Sequence, residues 1–161
     1  MQSGFTIRRA GPRDAASICE VHRESVLGLC TGHYDRGELV VWAESATPRL
    51  VGEALGENAI AAFVAETGGR VVGFSAAMSD LIRGVYVHPD FIRRGLGGAL
   101  LGAAEENAAE EGVGVVRLYA TLNSVKFYEQ QGYRAVRKSN YPLTSNLSLD
   151  CLVMEKELSL G

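Results

Sequence analysis

Three shortages bound this chain before any motif is read. Basic charge is not in excess: 16 lysines and arginines stand against 19 acids, a formal net charge of −3. A protein that grips a nucleic-acid backbone needs a basic face. Here the arginines are scattered, apart from the adjacent pair Arg93 and Arg94. Long apolar runs are missing too. The longest clean one, 59–65, falls far short of the ~18 residues that a membrane-spanning helix needs. The opening residues MQSGFTIRR carry no apolar signal core. Cysteine is scarce: Cys19, Cys30 and Cys151 are odd in number and not spaced as metal ligands. The expectation is free thiols in a reducing cytoplasm, with no disulfide framework and no metal site.

What is present reads as an ordinary globular chain. Hydrophobic content is 47% and charged content 22% over 161 residues. That suits one domain, 1–161, with a sizeable core. Residues 5–9 alternate as a strand, and Gly11-Pro12-Arg13-Asp14 turns into an amphipathic helix ending near Leu29. A loop with His33, Tyr34 and Asp35 leads to a second helix over 38–44, and Pro48 opens a third segment that ends at Gly56. Strands follow over 59–66, 70–78 and 81–88, with Gly68-Gly69 as a hairpin signal between the first two. This predicts an antiparallel meander. Residues 115–121 form a further strand, apolar enough to be buried on both faces. A helix separates it from the strand that starts at Leu81, so the two are predicted to run parallel. Residues 124–132 read as a short helix with Ser124 as N-cap and Gly132 as stop. A strand begins at Tyr133, and the last covers about 149–158.

The stretch from Val85 to Leu101 organises the rest. Pro89 stops the strand, because proline has no N–H for a ladder. From Gly95 the apolar period becomes helical, through Leu96, Ala99, Leu100, Ala103, Ala104 and Ala108. A strand therefore passes through two arginines and three glycines into a helix start. Unpaired N–H groups there carry partial positive charge, and Gly95, Gly97 and Gly98 allow close backbone approach. Arg93 and Arg94 add charge suited to phosphate oxygens. The combination predicts a phosphate or pyrophosphate site. It is not a Walker A loop, since no lysine follows the glycines. It is not a dinucleotide fingerprint either, since the third glycine position is Leu100. Glycines that merely aid packing are the plainer alternative.

The segment Val-Tyr-Val-His-Pro-Asp-Phe-x-Arg-Arg-Gly-Leu-Gly-x-x-Leu-Leu resembles the acyl-CoA-binding segment of the GNAT superfamily, the GCN-type N-acetyltransferases. A second family signature, Asn-x-x-x-x-Phe-Tyr-Glu-x-x-Gly-Tyr, spans Asn123 to Tyr133 in the same order and at a similar distance. One departure stands out: the family's Gln/Arg position is Ile92. The resemblance implies an α/β fold with a mixed, mostly antiparallel, centrally splayed sheet and helices on both faces. It implies acetyl-CoA as cosubstrate, held by Val85, Tyr86, Val87, Ile92, Arg93, Arg94, Gly95, Leu96, Gly97, Gly98, Asn123 and Tyr128. It further implies transfer of an acetyl group to a primary amine by direct attack in a ternary complex.

Tyr128 is the candidate general acid. A phenol is protonated at neutral pH and can protonate a departing thiolate. His33, Tyr34, Trp42 and Arg83 are the candidate acceptor-binding residues, with Trp42 also readable as a core anchor. No general base emerges. The strand 81–87 lacks a carboxylate, Arg83 stands where one is often found in the family, and Glu66, Asp80, Asp35, Glu38, His33 and His88 stay unranked. Arg83 recognising an acceptor carboxylate is one reading. A non-catalytic acyl-CoA-binding module and a transferase of another acyl group are the alternatives. The acceptor is a small-molecule or peptide amine. Homodimerisation, frequent in the family, is left open.

Overall fold

The computed structural model describes residues 4–57 and 60–159. Seven strands form one sheet in the order β1-β2-β3-β4-β5-β7-β6. They are β1 (Thr6–Arg9), β2 (Ala61–Thr67), β3 (Arg70–Met78), β4 (Leu81–Val87), β5 (Val115–Thr121), β6 (Arg134–Pro142) and β7 (Ser148–Glu157). Every neighbouring pair is antiparallel except β4 and β5. Helices α1 (Ala15–Leu29), α2 (Arg36–Ala43) and α3 (Pro48–Gly56) gather on one face. Helix α4 (Leu96–Glu110) covers the other, and the short α5 (Val125–Gln130) precedes β6. The mixed, mostly antiparallel α/β fold with helices on both faces is the one the sequence motifs imply.

Local chemistry sets the helix starts. Asp35 accepts from Glu38 N at 2.8 Å while Glu38 Oε1 accepts from Asp35 N at 3.0 Å. This reciprocal box satisfies two otherwise unpaired donors and starts α2 at Arg36, two residues before the apolar period reveals it. Thr47 Oγ1 accepts from Leu50 N at 3.3 Å, and Pro48 supplies a preset φ to open α3. Before α1, the Asp14 carboxylate accepts from Gly11 N and takes both Arg8 terminal nitrogens, at 2.8 and 3.0 Å. Helix α4 buries Leu96, Leu100, Leu101, Ala104 and Ala108. Each such leucine contributes about 1.5–3 kcal/mol. Gly73 lets the helix sit close to β3: a Cβ there would lie 2.9 Å from Leu100 Cδ1.

Two expectations are corrected, and one strand gains an end that its sequence left unset. Strand β5 is buried on one face only. Val116, Leu118 and Ala120 point into the α4 core, while Val115, Arg117 and Tyr119 are exposed, because α1–α3 cover the first half of the sheet. Ser124 does not cap α5 with its side chain: a 3-10 turn, Leu122–Ser124, comes first, and Ser124 Oγ bonds Thr121 O at 2.8 Å. Strand β6 extends to Pro142, because it zips along β7, which inserts between it and β5. The expected start of β2 at Ala59 lies outside the described residues.

Candidate functional site

The site is built around an irregularity in β4. Ala76 pairs with Gly84 and Ala77 with Ile82, so Arg83 is an extra residue with no partner on β3. A bulge of this kind re-aims the side chains that follow it. Ile82 faces the α4 core, and so do Val85 and Val87, which simple alternation would have sent to the opposite face. Tyr86 faces the α1–α3 side instead, stacked on Phe74 at 5.1 Å and beside His22 at 4.9 Å.

Beyond the bulge, β4 leaves β5. Only Leu81↔Arg117 and Ile82↔Leu118 join the two strands. His88 N bonds Val72 O at 2.8 Å, which fixes the alternation of the ladder. The N–H groups of residues 84 and 86 then point to β3, and those of Val85 and Val87 point into the gap. The Val85 N–H faces the buried Tyr128 phenol. Val87 N–H is left facing the opening between the strands. A cleft of about 630 Å³ occupies that opening, within the range of small-molecule sites.

Helix α4 begins at the mouth of this cleft. Gly95 takes φ +82°, a left-handed conformation that favours glycine, and Ala99 N is the first helical donor, to Gly95 O at 3.2 Å. The N–H groups of Leu96, Gly97 and Gly98 therefore have no helical acceptor. All three residues line the cleft, as do Ile92, Arg93 and Gly95. Arg94 does not. Its guanidinium lies 5.0 Å from the Phe91 ring centroid and borders a separate small hollow with Gly4 and Thr67. Of the two arginines that the sequence offers for phosphate, the structure brings one to the cleft. Arg93 reaches it from a left-handed φ of 64°, unusual for a residue with a Cβ.

The inner end of the cleft carries Tyr128 and Asn123. Tyr128 is buried, and burial raises its pKa well above the ordinary phenol value. Tyr128 lines the cleft with its proton in place. Asn123 stands beside the Cys30 thiol, and its Oδ1 is buried with no hydrogen-bond partner among the described residues. A buried acceptor without a donor is costly, and it marks a position where a ligand N–H fits. Phe127 and Gln131 also line the cleft, 3.2 Å and 3.6 Å from where Cβ atoms on Gly97 and Gly98 would lie. The spacing of the motifs carries no sign of these two contacts. They arise because α5 packs across the start of α4.

A second cleft of about 310 Å³ opens on the α1–α3 face. It meets the first at β4: Arg83, Gly84 and Tyr86 line both. Of the residues expected near an acceptor, Arg83 is therefore at the junction. Trp42 is buried, packs edge-on to the Tyr86 ring at 6.4 Å and borders the first cleft. Tyr34 lines neither. Its hydroxyl donates to Asp150 O at 2.6 Å and accepts from Leu122 N at 2.9 Å, so it ties the α1–α2 loop to β7. His33 is exposed and lines neither cleft. The base candidates Glu66, Asp80, Asp35, Glu38 and His88 also line neither cleft. Asp35 and Glu38 are spent on the α2 cap, Glu66 pairs with Arg8, and His88 Nδ1 accepts from Asp90 N at 3.1 Å. The second cleft is lined instead by residues with no legible signal in the sequence, among them His22, Leu50, Phe74 and Tyr141.

A parting parallel pair, a free strand N–H within it and an anion-binding helix start at its mouth define a class. That class is an α/β fold with room for an extended, phosphate-tailed ligand along a broken strand edge. The acetyltransferase (GNAT) domain family matches residues 58–135. The chain is 26% identical over 136 residues to the uncharacterized N-acetyltransferase YafP of Escherichia coli (strain K12), covering 84% of this chain and 85% of that protein. A GCN5-related N-acetyltransferase from Rhodopseudomonas palustris superposes with a TM-score of 0.89 at 26% identity, over 98% of both chains. The PaiA N-acetyltransferase from Thermoplasma acidophilum, solved in complex with coenzyme A, shares the fold with a TM-score of 0.79 at 24% identity, over 98% of this chain and 100% of that one. The chain belongs to the GNAT superfamily of acetyltransferases.

Proposed function

We propose that this protein transfers an acetyl group from acetyl-CoA to a primary amine by direct attack within a ternary complex. One observation carries the reading: Val87 N–H and the open start of α4 face one continuous cleft. The N–H groups of Leu96, Gly97 and Gly98, with the Arg93 guanidinium, hold the pyrophosphate. Asn123 Oδ1 accepts an amide N–H of the pantetheine arm. The coenzyme A bound in the Thermoplasma acidophilum protein supports the same ligand here.

The chemistry follows from these positions. Val87 N–H donates to the thioester carbonyl oxygen as it becomes an oxyanion, an interaction worth about 2.7–4 kcal/mol when preorganised. The neutral amine enters from the second cleft and attacks the carbonyl carbon. The C–S bond breaks as the C–N bond forms, and the thiolate takes the Tyr128 proton. Water at the cleft mouth accepts the proton that the amine sheds, since no carboxylate among the described residues lines either cleft. The tyrosinate is then reprotonated from solvent. The reaction takes place in the cytoplasm, within a single domain.

The test is thiol release from acetyl-CoA by the purified protein across a panel of amines, with Tyr128→Phe as control. Turnover that depends on the amine and drops in the variant supports the transferase. Acetyl-CoA binding without any turnover supports a non-catalytic binding module, which the lack of a carboxylate base among the described residues of either wall also fits.

A further inference from the structure

The second cleft has an unusual charge pattern. Its walls are mostly apolar: Leu50, Val51, Ala54 and Leu55 of α3 face Phe74 and Ala76 of β3. Leu50 is 57% exposed at its lip, a large apolar side chain left facing solvent. Among the described residues, Arg83 is the one formally charged residue on the lining. It is exposed and forms no ion pair or hydrogen bond among the described residues. The bulge gives this arginine its place: Arg83 is the residue of β4 with no partner on β3, and it lines both clefts. An unpaired guanidinium beside an apolar pocket has a complementary ligand: a carboxylate attached to a bulky apolar group.

Position narrows the class further. Arg83 and Gly84 stand where the donor cleft meets the second cleft. A carboxylate held there lies close to the attacking nitrogen, so acid and amine belong on the same or adjacent carbons. Resting on the acetyltransfer reading above, we infer that the acceptor is a free α-amino acid with a large aliphatic or aromatic side chain. Its carboxylate pairs with Arg83, and its side chain fills the pocket between α3 and β3. An internal lysine or a protein N-terminus brings no carboxylate beside the reacting amine, so the arginine would be left without a partner.

The experiment compares matched acceptors. L-Leucine is set against 3-methylbutylamine and L-phenylalanine against 2-phenylethylamine, with L-glutamate as a polar control, by thiol release from acetyl-CoA. The expected result is a preference of about tenfold or more in kcat/KM for each acid over its decarboxylated partner, the scale of one charge-assisted contact. L-Glutamate should be poor. In Arg83→Ala and Arg83→Gln the acid-to-amine ratio falls toward one, chiefly through a raised KM for the acid. Ala54→Trp, which fills the pocket, should exclude leucine and phenylalanine. Equal use of acids and amines by the wild type, an unchanged ratio in both Arg83 variants, or no turnover of any acid overturns the inference. Calorimetry with acetyl-CoA on the same preparation separates the two claims. Binding without acid turnover sinks only the acceptor assignment, whereas absence of binding removes the acetyltransfer reading as well.

Discussion

A Cβ built on Gly84 would stand 2.6 Å from Cε2 of Tyr86. The ring cannot easily yield, because Phe74 is stacked on it and His22 and Trp42 pack around it. Gly84→Ala is therefore an overpacking substitution at the junction of the two clefts. It should destabilise the protein by about 1–3 kcal/mol in urea unfolding, and it should raise the acceptor KM more than that for acetyl-CoA.

Acid sensitivity should come in two stages. His22 is buried beside the Ala43 carbonyl, and its Nδ1 has no partner among the described residues; burial lowers its pKa below the ordinary 6.5. The unfolded chain takes up that proton first, so stability falls as pH drops below 6.5. Asp14 is held below the ordinary 3.8 by the Arg8 guanidinium, and its contribution is lost only as pH falls beneath that value. Melting temperatures measured from pH 7 down to pH 5 should decline in the wild type and stay flatter in His22→Gln. An equal decline in both proteins would remove His22 from the account.

Tyr128→Phe removes the proton offered to the thiolate and leaves the ring in place. The expected loss in kcat is about 100-fold or more, with the KM for acetyl-CoA little changed. Burial raises the Tyr128 pKa, so the acid form persists at least as far up the pH scale as in a free tyrosine. The kcat profile of the wild type should accordingly show no falling limb from this group below pH 10. A limb near pH 8 that disappears in the variant would contradict the assignment.

Cys30 lines the donor cleft, yet burial pushes its thiol up to about 12. It is then almost wholly un-ionised at neutral pH and a poor nucleophile. Mass spectrometry after incubation with acetyl-CoA alone should show no acetylated enzyme, and Cys30 should resist iodoacetamide in the native protein. An acetyl group found on Cys30 would replace direct attack by a covalent route.

The fold was largely legible from periodicity and punctuation, because strand 81–87, the Pro89 stop and the glycine-rich helix start are all local signals. Register was less so. The Arg83 bulge depends on which β3 residue meets which β4 residue, a long-range choice with no glycine or proline on Arg83 itself to announce it. The same limit separates Arg93 from Arg94. They are adjacent and chemically alike, and only the positive φ of Arg93 and the Phe91 ring under Arg94 send them to different places. Tyr34 looked available because its loop is polar, whereas its hydroxyl is spent on backbone groups more than 80 residues away. The one-sided exposure of β5 followed from helix coverage, which no strand sequence encodes.

The central claim is that α4 and its loop bind the phosphates of acetyl-CoA. The most direct measurement is calorimetric titration of acetyl-CoA into the wild type, Arg93→Glu and Arg94→Glu. The account predicts micromolar-range binding by the wild type. It predicts a loss of about tenfold or more in Arg93→Glu and a smaller loss in Arg94→Glu, whose side chain lies on Phe91 outside the cleft. No binding by the wild type, or a loss confined to Arg94→Glu, would contradict it.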